Sequence, residues 1–102
     1  MHLIQLLLPL HDNHKQAFPP DYFNQVREDL IDRFGGVTAF VRSPAVGLWK
    51  GNSDDINRDE MVMFEVLSDE LDKDWWAGYR QKLEAKFRQD EVLIWASNIT
   101  RL

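Results

Sequence analysis

The chain contains no cysteine, which excludes a disulfide framework, a thiol nucleophile and every cysteine-based metal or iron–sulfur site. Long apolar runs are missing too. The opening stretch from Leu3 to Leu10 is interrupted by Gln5 and falls far short of the about 20 residues that a bilayer-spanning helix needs. No basic segment precedes it, and His11-Asp12-Asn13-His14 stands where a signal peptide would carry small residues for cleavage. The expectation is a soluble, cytoplasmic protein. Positive charge is scarce: 12 Lys and Arg face 17 Asp and Glu, a net charge of −5, which argues against nucleic acid as a partner. Gly35-Gly36 runs into a strand pattern, whereas a phosphate-cradling glycine loop must open a helix. Ser43 and Ser53 have no evident base partner, so a serine hydrolase has no footing. The polar stretch Asn52 to Asn57 lacks the glycine and terminal glutamate of a calcium loop.

What the chain does have is a supply of core formers. Of 102 residues, 44% are hydrophobic, including four Trp and six Phe, which excludes a disordered ensemble as the main state. The length fits one domain over residues 1–102, with no linker, repeat or low-complexity tract.

His2 to Leu10 reads as a strand apolar on both faces, hence a central one. After Pro19-Pro20, the residues Phe23, Val26, Leu30, Ile31 and Phe34 recur at helical spacing, and Gly35-Gly36 stops the helix. Val37 to Ser43 alternates as a second strand, with Pro44 suiting a sheet edge. The chain is expected to stay extended through Gly47 to Lys50, and Gly51 to Glu60 reads as a hairpin loop. Met61 to Leu67 is a third strand. A second helix over about Asp72 to Gln89 carries the stripe Trp76, Tyr79, Leu83 and Phe87, with acids leading and bases closing it. Glu91 to Ile99 completes the order β-α-β-β-α-β. That order predicts an α+β, ferredoxin-like plait: a four-stranded antiparallel sheet with two helices on one face.

The pleat then sorts strand residues by parity. The more apolar parity gives a core of Ile4, Leu6, Leu8, Val37, Ala39, Val41, Val62, Phe64, Val66, Val92, Ile94 and Ala96. The other parity gives Leu3, Gln5, Leu7, Thr38, Phe40, Arg42, Met61, Met63, Glu65, Leu67, Leu93, Trp95 and Ser97. A solvated face should be mostly polar and this one is not, so a cover is expected. A second copy of the sheet in a two-fold homodimer would serve, and so would a small apolar or anionic ligand. The two are compatible, and the interfacial reading carries more weight than a dedicated cavity.

The stretch Phe34-Gly35-Gly36-Val37-Thr38-Ala39-Phe40, then Gly47-Leu48-Trp49, a Trp-rich helix and a closing strand resembles small bacterial proteins of ferredoxin-like fold. More broadly the arrangement is similar to the dimeric α+β barrel superfamily. The resemblance implies a fold and a tendency to dimerise, in a superfamily that includes monooxygenases, isomerases, dismutases and ligand-sensing domains. It transfers no catalytic residue to this chain.

Candidate chemistry follows from residue type. Ligand-binding candidates are Gln5, Thr38, Phe40, Arg42, Met63, Glu65, Trp95 and Ser97. Arg42 and Glu65 would form a cross-strand ion pair or, in an enzyme, an anion clamp and a base, with Gln5 and Ser97 as secondary donors. His11 and His14 could offer two metal ligands on a turn, though a polar exposed loop is the plainer reading. Trp75 should lie at the rim of the second helix and Trp49 over a sheet edge. No cofactor is called for. The leading expectation is a dimeric ligand-binding or interaction domain that works through its open sheet face; the alternative is a small cofactor-independent enzyme of monooxygenase or isomerase type. RNA binding as in RRM-type plaits would use Phe40 and Trp95, but the charge and the missing basic motif oppose it.

Overall fold

The computed structural model describes residues 1–42 and 60–102. Its elements are β1 (His2–Pro9), α1 (Pro20–Phe34), β2 (Thr38–Arg42), β3 (Met61–Ser68), α2 (Lys73–Lys86) and β4 (Leu93–Asn98). The expected extended stretch Gly47 to Lys50, Trp49 within it, and nearly all of the expected hairpin loop lie outside the described residues.

The four strands form one sheet in the order β2-β3-β1-β4, every neighbouring pair antiparallel. This is the α+β plait that the element order predicts, with β1 inside the sheet and β2 at its edge. Register is fixed by parity, since a one-residue slip would turn every apolar side chain to the wrong face. Ile4 stands opposite Val66 and Ala96, and Leu6 opposite Phe64 and Ile94, so one parity of the inner strands forms a continuous apolar floor.

Both helices lay their apolar stripes on that floor. Val26 and Leu30 of α1 and Trp76, Tyr79 and Leu83 of α2 join Ile4, Leu6, Leu8, Val62, Phe64 and Val66 in one buried cluster. Helix α1 begins on Pro19-Pro20, where missing amides cost nothing, and ends at Gly35. Gly35 has φ 82°, a left-handed conformation, and its N–H caps Ile31 O at 2.7 Å. Helix α2 starts at Lys73 as expected, with Asp72 as its cap: the Asp72 carboxylate accepts from Trp75 N–H at 3.0 Å, but the helix ends at Lys86, three residues short of the expected Gln89. The same carboxylate holds Arg33 of α1 at 3.0 Å, tying the two helix ends together.

Aromatic rings fill the space between the helices. Phe87 meets Phe18, Tyr22 and Phe23 with centroids 5.0–5.6 Å apart. At the other end Phe34 stacks on Trp76 at 5.3 Å, and Trp75 stacks on Tyr79 at 4.9 Å. Trp75 is half-buried with the Arg33 guanidinium 5.1 Å from its ring, so it sits at the rim as its helical angle implies.

Two expected core residues are exposed. Ala39 and Ala96 have the correct parity but lie on β2 and β4, the two outer strands of the sheet. Val92 is buried although it precedes β4, its N–H held by Glu84 at 3.0 Å. The side chain of Val41 lies outside the described residues.

Candidate functional site

The antiparallel register brings one residue from each strand into a single row across the open face. Thr38 of β2 stands opposite Glu65 of β3, Glu65 opposite Gln5 of β1, and Gln5 opposite Trp95 of β4. Three of these side chains are joined by hydrogen bonds. The Trp95 indole N–H donates to Gln5 Oε1 at 2.8 Å, and Gln5 Nε2 donates to Glu65 Oε2 at 2.6 Å. The amide is therefore oriented from both ends: Trp95 offers only a donor and the carboxylate only acceptors. Glu65 Oε1 has no hydrogen-bond partner among the described residues.

Mostly apolar rows flank this polar one: Leu67 and Leu3 with Ser97 lie on one side, and Met63, Leu7 and Leu93 on the other. Leu67 and Leu93 are each 52% exposed and Trp95 37%, so large apolar groups on this face meet solvent. Met63 differs. It is fully buried although it stands outside the helix-side cluster. Glu65 and Thr38 also line an open recess of about 370 Å³, together with Phe34, Gly35, Gly36, Val37, Val66 and Leu67. The left-handed cap at Gly35 turns the chain there and so places the recess at the end of the polar row.

The expected pairing of Arg42 with Glu65 does not follow from the register. Arg42 stands opposite Met61, and Thr38, four residues earlier on β2, takes the place beside Glu65. At about 3.3 Å per residue that offset is about 13 Å, too far for a direct cross-strand pair. Phe40 stands opposite Met63; its side chain and that of Arg42 lie outside the described residues. Ser97 is exposed, opposite Leu3, one same-face step from Trp95.

His11 and His14 are both exposed, and no three metal-ligating side chains gather among the described residues. The carboxylate between them is engaged locally. Asp12 Oδ1 accepts the backbone N–H groups of Gln16 at 3.0 Å and His14 at 2.8 Å, while Arg88 approaches Oδ2 at 3.6 Å. The Gln16 amide first, against some desolvation, then the His14 amide and nearby positive charge hold the Asp12 carboxyl below its ordinary range. This turn closes on itself and directs His11 to a bridge with Ala17.

No helix among the described residues is long and apolar enough to cross a membrane. No protein-family model matches the chain, and no curated protein does. Among solved structures, a phage SAM lyase in complex with S-methyl-5'-thioadenosine is similar with a TM-score of 0.62. The match covers 95% of this chain and 80% of that one at 14% identity, a likeness of fold.

Proposed function

We propose that the open sheet face is the working surface: the protein forms a homodimer through it and holds a small ligand against the polar row. The observation that carries this reading is the hydrogen-bonded line Trp95–Gln5–Glu65 set between exposed leucines. A free surface has little use for a carboxylate, an amide and an indole held in one orientation. An interface or ligand site does, because oriented polar groups among apolar neighbours confer specificity on hydrophobic contact. The recess at Thr38 and Glu65 gives a ligand room to enter the row, and Glu65 would accept from its hydroxyl or amine.

A second reading is a small cofactor-independent enzyme with Glu65 as its base. It is supported by the carboxylate at the recess and by the fold neighbour, which is a lyase with a nucleoside thioether bound. The two readings share a site and differ in turnover. Thermal-shift titration with S-methyl-5'-thioadenosine, and incubation with S-adenosylmethionine followed by product analysis, tests both. Stabilisation that Glu65→Gln removes supports binding at the row; turnover abolished by the same substitution supports the enzyme. Stabilisation that Glu65→Gln leaves intact places that ligand elsewhere.

A further inference from the structure

Besides its open face the sheet has a second unpaired surface, the outer edge of β4. The strand order puts β4 at the margin, bonded to β1 on one side and to no described strand on the other. Ile99 N–H donates to Met1 O at 3.0 Å, which continues the β1–β4 register and marks that pair as hydrogen-bonded. Bonded and non-bonded pairs alternate along an antiparallel ladder, so Leu93, Trp95 and Ser97 turn their backbone groups to β1. Ile94, Ala96 and Asn98 turn theirs outward, where no described residue pairs with them.

Native proteins guard such edges with charge, proline or a bulge. β4 reads Leu-Ile-Trp-Ala-Ser-Asn, without a charge or a proline, and its one-to-one pairing with β1 contains no bulge. Both of its faces carry exposed side chains, Ala96 on the helix side and Trp95 and Ser97 on the other. A cleft of about 190 Å³ between β4 and α2 leaves space beside the strand on the helix side.

The sequence around β4 is complementary to itself. In a two-fold pairing that keeps both open faces on one side, directly opposite residues must share a face. With Ala96 on the axis, Ile94 meets Asn98, Trp95 meets Ser97 and Leu93 meets Ile99. Carried past the strand ends, the same register sets Glu91 of each copy opposite Arg101 of the other. Both residues are exposed, and neither belongs to an ion pair among the described residues. Within one chain they stand at opposite ends of the segment, about 33 Å apart at about 3.3 Å per residue. Moving the axis to Trp95 would set Glu91 opposite Ile99 and leave both charges unmatched, so charge selects the Ala96 register.

We propose that β4 pairs antiparallel with β4 of a second copy about Ala96, joining the two four-stranded sheets edge to edge. Ala96 then exchanges backbone hydrogen bonds with its own counterpart, and Ile94 with Asn98. The open face takes no part and stays free for its own contact. One strand per copy buries little beside the about 1,000 Å² of a stable interface, so this pairing belongs to about 0.1–1 mM protein rather than to the micromolar range.

The test is residue-resolved amide hydrogen exchange of the full-length chain at about 0.05 mM and about 1 mM. The outward amides of Ile94, Ala96 and Asn98 are expected to exchange at least about twofold more slowly at the higher concentration, with Trp95 and Ser97 unchanged. Packing on the open face would not protect the outward amides in this alternating pattern. Ala96→Pro, which an edge strand tolerates where the N–H points outward, should abolish the effect at Ile94 and Asn98. A charge exchange serves equally if that variant does not fold. Glu91→Arg and Arg101→Glu should each lose the protection alone, and an equimolar mixture of the two chains should regain it. Outward amides that exchange equally fast at both concentrations would overturn the proposal. Single charge variants that keep full protection, or a mixture that regains none, would do the same.

Discussion

Gln5 and Glu65 face each other across the two inner strands, amide nitrogen to carboxylate oxygen at 2.6 Å, and the same amide accepts from Trp95 at 2.8 Å. Gln5 is thus the hub of the open face. Gln5→Leu keeps the shape but leaves the carboxylate and the indole without this partner. The loss should be about 1 kcal/mol in urea unfolding, since the row is half-exposed and water can replace part of each bond.

Gln5→Glu tests the same contact through charge. Two carboxylates would then meet at hydrogen-bond distance, and the variant should be less stable than wild type at neutral pH. Part of that deficit should return on acidification, as one carboxyl takes up a proton and donates to the other. A deficit independent of pH would mean that the side chains separate into solvent.

Tyr79 predicts the alkaline limb. Burial first, then the charge of Asp29, then the hydrogen bond that its hydroxyl donates to Asp29 at 3.1 Å push its ionisation well above the ordinary value. The folded state therefore keeps a proton that the unfolded chain releases above about pH 10. Stability from this group is complete below that pH and falls as pH rises above it. Tyr79→Phe should flatten the alkaline decline in unfolding free energy while costing about 1 kcal/mol near neutrality.

Asp12 predicts the opposite limb. Its folded ionisation is depressed, so its contribution is present above the unfolded carboxylate value and is lost as pH falls through the lower folded one. A carboxyl ¹³C titration should find the Asp12 midpoint below that of a free aspartate. Asp12→Asn should remove this acid-side contribution.

Much of the fold was legible because it depends on spacing. Helix stripes at 3.6 and strand alternation at 2 identify Leu6, Phe64, Val26 and Leu83 without any tertiary information. Glycine and proline mark both ends of α1 for local reasons. Parity also selected Gln5, Thr38, Glu65 and Trp95, the four residues the register brings into one row. What parity cannot supply is the offset along a strand pair, so Glu65 was matched with Arg42 rather than with Gln5 and Thr38. Edge position misled in the same way at Ala39 and Ala96. That the Trp76 indole N–H is buried with no acceptor among the described residues is visible only in three dimensions.

The central claim is that the open sheet face joins two copies of the chain, and native mass spectrometry of the wild type and of Trp95→Asp tests it most directly. The aspartate would place a charge at an exposed position between Leu93 and Ser97 on that face, without touching the helix-side core. A wild-type dimer, and a Trp95→Asp monomer that keeps the wild-type circular dichroism, is the predicted result. A wild-type monomer, or a variant that remains dimeric, would contradict it.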